Sequence, residues 1–466
     1  MQRDHREIQR ILKRPGATTR SRRAEAMANY VLFGLLLVFG RAACDAGNPL
    51  FLTPLIKNNQ TQQARTAAAV SHASFQNVTS YAGYFTVDET FNSNLFFWFF
   101  PSKKNVTNDP VILYLQGGPG LPSIRSLFEE NGPFTVDENL NISLRKFTWN
   151  RNHSVLYIDN PVGVGYSFTN GGYAQNQTII AQHLYEALTQ FFTVFPEFSS
   201  RAFYVSGVSY GGKYSVSLAS YIDAQNEINS QKINLQGVIV ESGFVDPVHQ
   251  ANYSDYLYQL GLIDKQTRNL FKDIETTIIT DINNGNYQDA MDNYAKIIVP
   301  YKGPTLFRNL TGFDNGLNYL EAVAPPSYYR NFVTQDDVRS ALHVGNTNFT
   351  AVGFNVFLNL LLDYPKSVAP QIVQLLTKYR MVFYNGQTDV VGGNFLTQLN
   401  FPQAAEYNDA PRIVWHFKGD VAGYAKQAGN LTEVLVRNAG HWVARYQPEW
   451  AYNLVLKFTR NRTTFN

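Results

Sequence analysis

The segment Phe203-Tyr204-Val205-Ser206-Gly207-Val208-Ser209-Tyr210-Gly211-Gly212 constrains this chain more than any other. A short apolar run passes into Gly-x-Ser-x-Gly and then into a stretch that reads as helix from near Gly212. A serine on so sharp a strand-to-helix turn sits in strained backbone with its hydroxyl exposed. Glycines flank it because a Cβ would clash there. The helix behind it supplies free N–H groups and the positive end of a dipole. An ordinary glycine-rich turn is the plain alternative. The placement after a strand and before a helix favours a nucleophile.

The rest of the chain repeats this alternation. Short apolar runs at Val111–Leu115, Val155–Ile158, Phe203–Ser206, Val238–Ile239, Met381–Tyr384, Ile413–Phe417 and Glu433–Val436 have strand lengths, several suited to burial on both faces. Helical stretches such as Thr178–Phe195 and Tyr214–Asp223 fall between them. The expected fold class is α/β, with a central, mostly parallel sheet flanked by helices. From Phe244 to Leu362 the pattern changes to polar helices rich in Tyr and Asn. We read 47–243 and 363–466 as two parts of one α/β core. Residues 244–362 are read as a mainly helical cap over the C-terminal edge of the sheet, where open α/β folds bind ligands. An independent helical domain is the alternative.

Residues 1–46 differ from this body. They hold nine Lys/Arg and four Asp/Glu, a local charge of +5, so a total of +3 leaves about −2 for the rest. That balance argues against a nucleic-acid or membrane-surface role. From Met27 the chain runs into the apolar stretch Tyr30–Phe39 and exits through Ala42, Ala43, Cys44 and Ala46. These are the parts of a secretory signal peptide at about 27–46; a signal anchor or a buried helix is the alternative. Cleavage near Ala46 removes Cys44, the single cysteine, and no stable membrane anchor is expected afterwards. Residues 1–26 fit either a cytosolic extension or an upstream start. Glycosylation acceptors stand at Asn59, Asn77, Asn105, Asn141, Asn152, Asn176, Asn252, Asn309, Asn348, Asn430 and Asn461, a spread that favours a glycosylated surface if the chain enters the secretory pathway. With one cysteine there is no internal disulfide and no cysteine metal site, and no metal or cofactor is expected.

A serine needs a base to take its proton, and in folds with this turn the chain order is Ser, acid, His. Only His416 and His441 lie beyond the best acid candidate. His416 falls inside Ile413–Phe417, where packing is the expected role. His441 follows Glu433–Val436 in the loop Asn438-Ala439-Gly440-His441-Trp442, and Asp389 holds the equivalent place after Met381–Tyr384. Loops at strand ends are where such groups belong. The anion formed on attack needs fixed donors. The N–H of Tyr210 is one, and Gln116-Gly117-Gly118-Pro119-Gly120 after Val111–Leu115 is the natural second source. That loop lacks both the Lys-Ser/Thr of a phosphate loop and the dinucleotide spacing.

These residues resemble the serine carboxypeptidases, closest to the vitellogenic-like branch. The resemblance runs from about Leu52 to Thr459 and rests on ordered blocks. They are Leu115–Gly120, Glu130-Asn131-Gly132-Pro133, Trp149-Asn150, Asp159–Ser167, Gly207–Tyr214, Tyr384–Asp389 and Gly440-His441. It implies an α/β-hydrolase fold and a secreted or lysosomal acid exopeptidase taking a peptide substrate with a free C-terminus. It implies Ser209, Asp389 and His441 as the triad and the N–H groups of Gly118 and Tyr210 as the oxyanion hole. It also implies that Gln116, Gly117 and Glu130 bind the substrate's carboxylate. Family members pair two glutamates there; the second position is Val208 here, which leaves Glu130 without its like-charge neighbour. Leu121-Pro122-Ser123 also departs from the small residues usual after Gly120, and the family's disulfides are absent. A same-mechanism esterase, amidase or acyltransferase is the second reading, and an inactive binding or storage protein the third.

Overall fold

A computed structural model describes residues 47–392 and 396–461 of the 466-residue chain. The expected signal segment and Cys44 lie outside the described residues. Ten strands form the main sheet: β1 (Tyr81–Asp88), β2 (Ser93–Phe100), β3 (Val111–Leu115), β6 (Ser154–Ile158), β7 (Phe203–Val208), β8 (Leu235–Glu241), β9 (Arg380–Gly386), β10 (Ile413–Phe417), β11 (Asp420–Ala428) and β12 (Leu431–Val436). A separate two-stranded ribbon joins β4 (Phe134–Val136) and β5 (Ile142–Leu144). The order across the main sheet is β1-β2-β6-β3-β7-β8-β9-β12-β11-β10. The six strands from β6 to β12 in that order run parallel, and antiparallel strands extend both edges.

Every residue of β3, β6 and β7 is buried, because helices cover both faces of the sheet. One face packs on helices Gln177–Val194 and Gly211–Ile228. The first presents Ile180, Leu184, Ala187, Leu188 and Phe191 at helical spacing and starts where the Asn176 side chain accepts from Ile179 N at 3.0 Å. The other face packs on Pro448–Thr459 through Ala451, Leu454, Val455 and Phe458. All seven expected strands are found, most of them longer than their apolar runs.

Between Phe244 and Leu362 the described chain forms helices and no strand, the longest being Lys265–Asn283 and Tyr287–Ile297. Phe271, Ile278, Met291 and Tyr294 belong to the same hydrophobic cluster as Leu113 and Val205 of the sheet.

Candidate active site

Strand β7 ends at Val208, and the helix Gly211–Ile228 begins three residues later. Ser209 sits in the turn at φ 58°, a left-handed backbone that costs a non-glycine residue on the order of 1–3 kcal/mol. Three main-chain bonds hold it there. Its N–H donates to Glu241 O at 2.9 Å, and its carbonyl accepts from Gly212 N at 2.9 Å and Phe244 N at 3.0 Å. Gly207 is required by contact: a Cβ there would lie 1.9 Å from Gly211 O.

Asp389 follows β9 and His441 follows β12, and these parallel strands put both loops on the edge that carries Ser209. His441 Nδ1 lies 2.8 Å from Asp389 Oδ2, and Asp389 Oδ1 accepts from Val391 N at 2.8 Å. Both side chains are buried. A proton held on Nδ1 by the carboxylate leaves the lone pair on Nε2, which is what a general base requires. Burial alone would lower the imidazole pKa. The charge and hydrogen bond of Asp389, helped by Glu241 and Glu130, outweigh it and hold His441 above its ordinary value. His416 takes no part. It is exposed on the edge strand β10, so the expected packing role does not hold either: alternation turns Trp415 inward and His416 out.

The loop after β3 presses against the elbow. A Cβ on Gly117 would stand 2.6 Å from Val208 O, 2.7 Å from Tyr210 N and 2.9 Å from Ser209 Cβ. Only glycine lets this backbone come so close to Ser209, with Gly118 next in line at φ 115°. Gly120 O in turn accepts from Gly353 N at 2.7 Å.

Glu130 is buried beside this loop. Its Oε2 accepts from Tyr114 Oη at 2.6 Å, and its Oε1 from Gln116 Nε2 at 2.8 Å and Ser126 Oγ at 3.0 Å. Gln116 Oε1 accepts from Gly117 N at 2.8 Å. Burial raises the Glu130 pKa against the opposing pull of Tyr114, Arg125 and Ser126. The expectation that Glu130 has no carboxyl neighbour is overturned. Glu241, fully buried at the end of β8, is pushed up to about 8 by burial and by the negative charge of Glu130. Its Oε2 accepts from Tyr384 Oη at 2.7 Å and its Oε1 from Ala444 N at 3.2 Å. An acid at the end of an apolar run reads in sequence as a loop residue, which is why Glu241 escapes notice there.

Sequence reasoning also misses the segment 316–319, which acts through its backbone. His441 N donates to Leu317 O at 2.7 Å, Tyr319 N to Thr388 O at 3.0 Å and Val390 N to Gly316 O at 2.9 Å. One segment of the helical stretch thus clamps both the Asp389 and His441 loops. Behind the elbow, the buried Lys213 Nζ donates to the carbonyls of Asp363 (3.1 Å), Tyr364 and Lys366 (both 2.6 Å), and Asp363 Oδ2 accepts from Tyr210 Oη at 2.8 Å. Among the described residues no cluster of His, Cys, Asp and Glu has the make-up of a metal site, and no helix is long and apolar enough to cross a membrane. Asn59, Asn77, Asn105, Asn141, Asn252, Asn309, Asn348 and Asn461 are exposed. Asn152, Asn176 and Asn430 are half-buried, and Asn430 Nδ2 is engaged with Leu376 O at 2.9 Å.

Comparison with known proteins follows the same lines. The sequence profile of the serine carboxypeptidases matches residues 71–461. The chain is 44% identical over 430 residues to a venom serine carboxypeptidase of Apis mellifera, covering 90% of this chain and 92% of that one. It is 39% identical over 428 residues to a vitellogenic carboxypeptidase of Aedes aegypti, covering 89% and 90%. Among solved structures it is similar to the prohormone-processing carboxypeptidase Kex1 of Saccharomyces cerevisiae, with a TM-score of 0.71 at 22% identity over 85% of this chain and 96% of that one.

Proposed function

Because the chain belongs to the serine carboxypeptidase family and is a serine-type carboxypeptidase on an α/β-hydrolase fold, we propose that Ser209, His441 and Asp389 are the residues that carry its reaction. The observation that supports this most is the 2.8 Å bond between His441 Nδ1 and Asp389 Oδ2, on the sheet edge where Ser209 sits in left-handed backbone. Ser209 Oγ attacks the carbonyl of the last peptide bond while His441 Nε2 takes its proton. The oxyanion is held by the N–H groups of Gly118 and Tyr210. His441 then gives the proton to the departing amino acid, leaving an acyl-enzyme that water opens by the same steps in reverse. The helical stretch 244–362 serves as a cap whose 316–319 segment steadies the acid and the base.

Gln116, Gly117 and Glu130 take the substrate's terminal carboxylate. A protonated Glu130 donates to it, whereas an ionised one repels it. Valine at 208 removes the partner expected just before the nucleophile, which weakens recognition through that position. The sequons and the signal-like stretch at about 27–46 fit passage through the secretory pathway.

Recognition of the free carboxylate makes a direct prediction. A blocked dipeptide should be cleaved about tenfold to a hundredfold more efficiently than its C-terminal amide, the worth of one charged hydrogen bond. Equal kcat/KM for the two would reject carboxylate-directed cleavage in favour of an esterase, amidase or acyltransferase.

A further inference from the structure

Val208 and Glu241 are register partners on adjacent parallel strands, and Glu241 is in turn the partner of Tyr384 on β9. Partners in such a row point to the same face of the sheet. Val208 and Tyr384 lie in the hydrophobic cluster of that face together with Tyr114, whose hydroxyl donates to Glu130. Glu130 and Glu241 are thus both bonded to tyrosines of this face, Glu130 to Tyr114 and also to Gln116, Glu241 to Tyr384 and also to the first turn after His441. A carboxyl buried on an apolar face is costly to ionise, and a chain that needed only packing there would carry an apolar side chain.

Resting on the carboxypeptidase reading above, we propose that Glu241 is a positioning residue for substrate recognition: from the neighbouring strand it supplies the second carboxyl that position 208 lacks, and with Glu130 it forms the acid pair that admits a C-terminal carboxylate. The groups facing this pair leave it little compensating charge. Tyr114, Tyr157 and Tyr384 are buried phenols whose pKa values are all raised. Arg125 faces Glu130 but is bound to Glu129 at 2.8 Å, and Arg145 spends its donors on the carbonyls of Phe128, Gly132 and Phe134. His441 senses both glutamates. Two carboxyls in such a setting lose their protons in two steps that belong to the pair. Burial and the mutual repulsion of the two carboxyls hold the last proton to a pH well above the ordinary glutamate value. Below that pH the pair offers a donor to the incoming carboxylate, and above it two negative charges face a third. Stability follows the same sign. A raised carboxyl contributes fully below the ordinary glutamate value, and the contribution is lost as pH climbs through the raised value.

The test measures kcat/KM against pH for the blocked dipeptide and for its C-terminal amide, in wild type and Glu241→Gln. Gln is isosteric and neutral, and the rate of fluorophosphonate labelling at Ser209 reports an intact elbow. With Gln at 241 the last carboxyl proton leaves from Glu130. The alkaline limb for the free acid should then move about one pH unit or more toward acid, which is an approximately tenfold loss at pH values above both limbs, while the alkaline limb for the amide stays in place. Any shift of the acid limb is common to both substrates because it belongs to His441. The exchange Val208→Glu with Glu241→Val should restore the free-acid profile. Unmoved profiles, or alkaline limbs that move together for both substrates, overturn the assignment of Glu241 while leaving the triad untouched. A wild type that labels at Ser209 but never prefers the free acid overturns the carboxypeptidase reading instead, and this inference with it.

Discussion

Asp389→Asn should lower kcat/KM for the blocked dipeptide by about 10⁴-fold while leaving the protein folded. The asparagine keeps the volume of the carboxylate that lies 2.8 Å from His441 Nδ1 and is buried with it. It can present its amide to the ring in place of the acceptor, which turns the imidazole to the wrong tautomer and puts the proton on Nε2. The carboxylate that stabilises the imidazolium as Ser209 loses its proton is then missing. In wild type the charge and hydrogen bond of Asp389 outweigh burial and hold the imidazole above its ordinary value. A titration of His441 in the variant should accordingly move downward. A loss smaller than about tenfold, with the histidine unshifted, would place Asp389 outside the relay.

Gly117→Ala should cost about 10²–10³-fold in kcat with little change in KM for the amide substrate. The added methyl would lie 2.6 Å from Val208 O, 2.7 Å from Tyr210 N and 2.9 Å from Ser209 Cβ. All three neighbours are main chain or the root of the nucleophile, so none can swing away. The loop must retreat, carrying Gly118 N–H from the place where the oxyanion forms. Because this donor acts on the transition state and not on bound substrate, the loss belongs to kcat. A variant with normal kcat would show that the second donor lies elsewhere.

Much of this site could be read before the fold was seen, and the reason is geometric. Ser209, Asp389 and His441 each come just after a short apolar run, and parallel strands bring such positions to one edge whatever their separation along the chain. The hairpin β1–β2 escapes notice because β2, Ser93–Phe100, is buried at every residue and its aromatic run shows no alternation. Glu241 is hidden for another reason. Val238–Ile239 reads as a fragment, and only the register of β7 against β8 puts the acid beside Val208. The 316–319 clamp works through carbonyls and N–H groups, which every residue type carries, so no side-chain pattern announces it.

Val208 and Glu241 together change how the substrate site is understood. Taken alone, the valine reads as damage to carboxylate recognition. Beside Glu241 it reads as a carboxyl moved one strand across the sheet, on the same face and still within reach of the electrostatics of Glu130.

Every step of the reaction depends on which side chain is the nucleophile. Purified mature protein treated with a fluorophosphonate should gain one phosphonyl group per chain, and peptide mapping by mass spectrometry should place it on Ser209. Ser209→Ala should keep its fold by circular dichroism and gain none. An adduct on another residue, or equal labelling of wild type and Ser209→Ala, would contradict the account.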